Sequence, residues 1–158
     1  MTTDYKTLDA QVAALLNGEP DTLANVANFV ALLYANLSDT NWVGYYVLRG
    51  DELVLGPFQG KPACTRIPLG RGVCGTAAAS GQTQRVADVH AFDGHIACDP
   101  DSNSELVVPI IANGKTLGVL DLDSPSTGRF SAEDQAGVEM LCRHLHAILT
   151  DSPAPPAL

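Results

Sequence analysis

Basic residues are scarce in this chain: 9 Lys and Arg stand against 18 Asp and Glu, a formal net charge of −9 at pH 7. A surface this acidic repels phosphate, which argues against nucleic acid or an anionic membrane as a partner. Long apolar runs are missing too, and nothing approaches the roughly 20 residues that cross a bilayer. The first residues, Met1-Thr2-Thr3-Asp4-Tyr5-Lys6, lack the basic-then-apolar pattern of a secretory signal. The expected compartment is therefore the cytoplasm, where lasting disulfides are rare. There is also no C-x-x-C pair, no Gly-Lys-Ser/Thr phosphate loop and no internal repeat. What remains is ordinary for a globular protein: 158 residues, 46% hydrophobic and 17% charged. The length fits one domain with a sizeable core, expected over residues 1–150. The proline-rich tail, residues 151–158, is expected to be disordered.

Residues 7–17 look helical and stop at Gly18-Glu19-Pro20, and Asp21 is placed to cap a second helix with Leu23, Val26, Phe29, Val30, Leu33 and Leu37 at helical spacing. Residues 41–48 are aromatic and β-branched, which predicts a strand; Arg49-Gly50-Asp51 turns it and residues 52–55 answer as a hairpin partner. Alternation puts Trp42, Gly44, Tyr46 and Leu48 on one face, with Gly44 leaving a gap between two aromatics. Residues 56–64 read as a loop broken by two prolines. The glycines of residues 70–75 precede a small-residue helix over 76–80, a natural seat for a carboxylate or phosphate. A short strand over 83–89 leads to a long polar loop over 91–105. Residues 105–111 and 115–123 then read as two strands joined by Asn113-Gly114, a strong hairpin signal. Leu117, Val119, Asp121 and Asp123 should share a face. Ser131 opens a final helix with Val138, Leu141, Leu145 and Leu149 as its apolar stripe; His144 and His146 are expected to be surface or satisfied helix residues, and Cys142 a core residue. Helices flanking a largely antiparallel sheet make an α+β fold.

The loop over 91–105 carries the chemistry. Cys98 lies near His95 and Asp99, and the hairpin brings Asp121 and Asp123 back beside Glu105. Cys64 and Cys74 lie upstream. Zinc is disfavoured, because these cysteines have none of the usual close spacing. A Cys98–His95 hydrolase is conceivable, but clustered carboxylates oppose a thiolate and an acyl oxyanion. Thiol redox chemistry suits them better. A sulfoxide oxygen must be protonated before it can leave. Acids held close together raise one another's pKa, so one of them can keep that proton near neutral pH. Another carboxylate can hold an ammonium group, and an aromatic slot from Trp42 and Tyr46 suits a methyl on sulfur. The parts describe a free amino acid carrying a methyl sulfoxide.

Residues 56–64 (Gly-Pro-Phe-Gln-Gly-Lys-Pro-Ala-Cys), Gly72-Val73-Cys74-Gly75, residues 94–99 (Gly-His-Ile-Ala-Cys-Asp), Ser104-Glu105 and Asp121-Leu122-Asp123-Ser124 resemble the free methionine-(R)-sulfoxide reductases, which have a GAF-type fold. The resemblance runs from about residue 41 to 135. It implies a single GAF-like domain, with a central, largely antiparallel sheet flanked by N- and C-terminal helices. It implies that Cys98 is the nucleophile that becomes a sulfenic acid, and that Cys64 resolves it as a disulfide which thioredoxin reduces. Cys74 would be an auxiliary resolving or structural thiol. Glu105, Asp121 and Asp123 would bind substrate and supply acid catalysis, and Trp42 and Tyr46 would recognise the methyl. No bound cofactor and no metal are implied; a homodimer is. The rival expectation is a GAF-type module that senses a small ligand without chemistry.

Overall fold

The computed structural model describes residues 2–151. The chain begins with two helices, Tyr5–Leu16 (α1) and Thr22–Asn36 (α2), and ends with Ala132–Thr150 (α4). Each has a side-chain cap that the sequence supplies: Asp4 accepts from the Thr7 amide, Asp21 from that of Ala24, and Ser131 forms a capping box with Asp134. Between them lie six strands: Trp42–Arg49 (β1), Glu52–Gly60 (β2), Arg66–Pro68 (β3), Gln84–Val86 (β4), Ser104–Ala112 (β5) and Lys115–Ser124 (β6). A short helix, Gly72–Ser80 (α3), follows β3. The strands form one sheet in the order β3-β2-β1-β6-β5-β4, and every neighbouring pair is antiparallel. The α+β reading is borne out.

Strand alternation divides the interior into two layers. Val43, Tyr45 and Val47 of β1, Leu106, Val108 and Ile110 of β5, and Leu120 and Leu122 of β6 pack against α1, α2 and α4. The residues between them, Trp42, Tyr46, Val107 and Val119, face α3 and the loops. His144 of α4 reaches Asp9 of α1 at 2.7 Å, tying the outer helices together. Cys142 is buried in the helical layer, as its place on the apolar stripe suggests.

Four expectations need correction. Residues 56–60 continue strand β2 instead of starting a loop. The pairing with β1 slips by one residue between Gly44 and Tyr46, and Gly56-Pro57 falls at that slip; a bulge is where a strand tolerates a proline, which has no amide to give to the ladder. The segment before α3 contains the edge strand β3, too short to show a period. Helix α3 starts at Gly72, four residues earlier than residues 76–80 suggested, so Cys74 lies inside its first turn. Finally, Leu117 does not share a face with Val119. The β5–β6 register shifts between Ile110 and Ile111, and the extra residue sends Leu117 to the helical layer. The hairpin turn itself is as expected, with Asn113 and Gly114 both at positive φ (53° and 73°). Residues 152–158 of the expected disordered tail lie outside the described residues.

Candidate active site

Three adjacent strands, β1, β6 and β5, present the candidate residues on the sheet face turned away from the long helices. In the β1–β6 register Trp42 stands opposite Asp123 and Gly44 opposite Asp121; in the β5–β6 register Glu105 stands opposite Asp123. Antiparallel neighbours on one face lie about 5 Å apart, so pairing alone brings the three carboxyls together. All three are buried, with 6–9% of their surface exposed. The first turn of α3 and the loops carrying Cys64 and Cys98 close over them. The cavity that results is lined by Trp42, Tyr46, Cys74, His95, Cys98, Glu105, Asp121 and Asp123, with Ile67, Val73 and Ile96 as apolar walls.

Burial pushes all three acids up, and their mutual repulsion adds to it for Glu105 and Asp121. Asp123 is raised to about 7 by burial, although hydrogen bonds from Glu105 and Asp121 hold it down relative to its neighbours. The three acids share protons above the ordinary carboxylate range, with Glu105 and Asp121 hydrogen-bonded to Asp123. The Cys74 thiol donates in turn to Asp121. Burial and the three acids push that thiol well above its ordinary range, the reverse of the lowering a helix N-terminus can give. Asp121 Oδ1 and Asp123 Oδ1 are buried without a hydrogen-bond partner. A ligand atom from each of Cys74, Glu105 and Asp121 lies within 4.8 Å of the others, close enough to share one ion; the same closeness is what shared protons require.

The aromatics are packed, not gapped. The Trp42 indole lies over Gly44, where any Cβ would run into the ring and would meet Phe58 Cβ at 2.7 Å. It stacks on Phe58 at 5.4 Å and on Tyr46 at 5.9 Å between ring centres. Glycine at 44 thus sets the depth of the aromatic wall. Opposite it, Cys64 and Cys98 are joined by a disulfide with their Cα atoms 5.4 Å apart. Trp42, Tyr46, Cys64, Cys74, Cys98, Glu105, Asp121 and Asp123, the candidate site residues of the sequence, meet at one place.

The comparisons with known proteins point the same way. The GAF domain pattern matches residues 5–149. The free methionine-R-sulfoxide reductase of Escherichia coli is 55% identical over 92% of this chain and 88% of its own length. Among solved structures, fRMsr of Staphylococcus aureus in complex with substrate is 49% identical with a TM-score of 0.89, covering 95% of this chain and 98% of that one. The free methionine-R-sulfoxide reductase of Neisseria meningitidis, also in complex with its substrate, is 42% identical with a TM-score of 0.91, covering 96% and 94%. The chain belongs to the free methionine-R-sulfoxide reductases.

In this member of the family the cavity also shows contacts that the sequence did not foresee. His95 Nδ1 is buried without a partner in the cavity wall, and the ring stands edge-on to His90 at 6.2 Å. Burial and the neighbouring His90 hold its pKa below the ordinary histidine value. In this disulfide form Cys98 is bonded to Cys64 and His95 Nδ1 has no partner. The polar tips of the aromatics are also used: Trp42 Nε1–H donates to the Lys61 carbonyl at 3.0 Å, and the Tyr46 hydroxyl to the Cys64 carbonyl at 2.8 Å. Partners 19 and 18 residues apart leave no local signal. Among the described residues, no helix is long and apolar enough to cross a membrane.

Proposed function

We propose that this reductase converts free L-methionine-(R)-sulfoxide to methionine, with Cys98 as nucleophile and Cys64 as the resolving cysteine. The observation that carries the reading is the meeting of the Cys64–Cys98 pair with a buried, proton-holding acid trio in one cavity. In the first step Glu105 or Asp121 gives a proton to the sulfoxide oxygen while the Cys98 thiolate attacks the sulfur. The oxygen ends on Cys98 as a sulfenic acid and methionine leaves. The Cys64 thiol then attacks that sulfur, a disulfide forms and water departs. A dithiol must reduce the disulfide, and the family resemblance makes this thioredoxin. The same resemblance makes the working form a homodimer, and the absence of a secretory-signal pattern in the sequence makes its compartment the cytoplasm.

Substrate recognition follows from the same walls. A substrate ammonium has three N–H donors, and the unpartnered oxygens of Asp121 and Asp123 suit it. The substrate carboxylate fits the first turn of α3, which no side chain caps and which Arg71 adjoins. The methyl on sulfur packs on Trp42 and Tyr46. Cys74, buried and hydrogen-bonded to Asp121, acts as a structural thiol and not as an alternative resolving group. The test is loss of each methionine sulfoxide epimer with thioredoxin, its reductase and NADPH. Consumption of the R epimer alone, abolished by Cys98→Ser, is the expected result. No consumption of either epimer with any dithiol would overturn the reading in favour of a ligand sensor.

A further inference from the structure

Cys64 sits on a segment, residues 61–65, that belongs to no strand or helix. For it to meet Cys98, that segment must be held over the cavity. Beyond the disulfide, an exposed ion pair joins Lys61 to Asp101 of the Cys98 loop at 2.7 Å, and three hydrogen bonds tie the segment to the sheet. Leu55 N–H donates to the Thr65 carbonyl at 2.9 Å, the Trp42 indole N–H to the Lys61 carbonyl at 3.0 Å and the Tyr46 hydroxyl to the Cys64 carbonyl at 2.8 Å. The last grips the backbone of the resolving cysteine itself. Its donor is anchored, since Tyr46 is 1% exposed in the middle of β1. Burial also keeps the phenol protonated and able to donate, with its pKa pushed up further by the acids and the Cys74 thiol.

We propose that Tyr46, seconded by Trp42, is a positioning residue for the resolving half of the reaction. Its hydroxyl holds the Cys64 backbone where the thiol can reach the sulfenic acid on Cys98. The wall that faces the substrate methyl thereby also sets the geometry of disulfide closure. The step concerned forms the Cys64–Cys98 S–S bond and breaks the S–O bond of the sulfenic acid, whose oxygen leaves as water. Disulfides tolerate only a narrow range of Cα separation, about 4.4–6.8 Å, so a segment free to swing spends little time in reach. The inference rests on the assignment of Cys98 as nucleophile and Cys64 as resolving cysteine.

Tyr46→Phe keeps the ring and deletes the hydrogen bond. The experiment bypasses the amino-acid substrate: the reduced, full-length protein is oxidised with hydrogen peroxide, which converts the Cys98 thiol to a sulfenic acid and is itself reduced to water. Trapping with dimedone and mapping of the Cys64–Cys98 disulfide by mass spectrometry then give the rate of resolution. In wild type the disulfide forms and little sulfenic acid is trapped. In Tyr46→Phe, at a temperature where melting curves show it folded, resolution falls at least tenfold and the dimedone adduct accumulates. Trp42→Phe, which removes the indole N–H but leaves a ring, shifts the balance the same way and serves where Tyr46→Phe does not fold. Tyr45→Phe, on the opposite face of β1, resolves as wild type does. Resolution at the wild-type rate in Tyr46→Phe would overturn the inference alone. A wild type that forms sulfenic acid on Cys98 but never a Cys64–Cys98 disulfide would overturn the assignment of the two cysteines, and the inference with it.

Discussion

A carboxyl group buried beside others of its kind is expensive to ionise, and the trio at the site puts that cost into the stability of the fold. Asp123 has an ordinary value of 3.8 and is raised to about 7; Glu105 and Asp121 are raised well above theirs. Between those values the folded chain binds more protons than the unfolded one, so stability falls as pH rises. Below the unfolded value both states are protonated and the trio costs nothing. Above the folded value the penalty is complete. Asp123→Asn removes one of these ionisations. The variant is expected to be more stable than wild type at pH 8, by on the order of 2–4 kcal/mol, with little difference at pH 4. Thermal melts across that range check it. A wild type whose melting temperature is level from pH 5 to 8 would show that the acids ionise without cost.

At the scale of elements, strand β1 decides how much room the site has. Its outer face carries the Trp42 indole folded over Gly44 and sandwiched with Phe58 of β2. The bulge at Gly56-Pro57 lets β2 run to Gly60 and deliver Phe58 opposite Gly44. Gly44→Ala puts a methyl where the indole lies. The expected cost is about 1–3 kcal/mol of stability, typical of overpacking, together with a raised KM for methionine sulfoxide as the ring is driven into the cavity. Trp42 is the only tryptophan in the chain, so a shift in emission wavelength reports its displacement directly. An unchanged spectrum and KM would show that the aromatic wall has slack. The bulges explain why the strand reading was incomplete. Alternation located Trp42, Tyr46, Asp121 and Asp123 correctly, because they lie on unbroken stretches, but it misplaced Leu117 and closed β2 too early. An inserted residue inverts the alternation beyond it and leaves no mark in composition.

Across the whole molecule, one sheet separates a helical layer from a looped layer that holds the candidate site. On the reading proposed above, the charge balance of the looped layer selects the substrate. In that reading, two unpartnered acid oxygens in the cavity, on Asp121 and Asp123, favour a free amino acid, whose ammonium hydrogen-bonds them. N-acetylmethionine sulfoxide lacks that group and would leave a buried charge unpaired. Its kcat/KM is expected to be lower by at least about 100-fold, as for other sites whose buried polar groups lose their partner. Comparable turnover of the two compounds would exclude the ammonium from recognition.

The residues of the site could be picked from the chain before any fold was known, because their chemistry is carried by type: cysteines beside a histidine and clustered acids, aromatics on a strand, glycines ahead of a helix. The hairpin at Asn113-Gly114 also brought Asp121 and Asp123 near Glu105, although an unbroken two-residue register would pair Glu105 with Leu122, and the bulge at Leu117 shifts that partner to Asp123. Helix caps at Asp21 and Ser131 were equally local. What waited for the tertiary structure was everything set by contacts between distant segments. The entry of Cys74 into the first turn of α3, and its burial against Asp121, depend on how α3 lies on β5 and β6. The raised pKa values of the three acids depend on burial and on how closely their carboxyls are packed. The grip of Tyr46 on Cys64 joins a strand to a loop 18 residues away. Sequence determines which groups are available, through propensities that act over a few residues. Their distances, and hence their pKa values and partners, come from long-range packing that no short window of sequence contains.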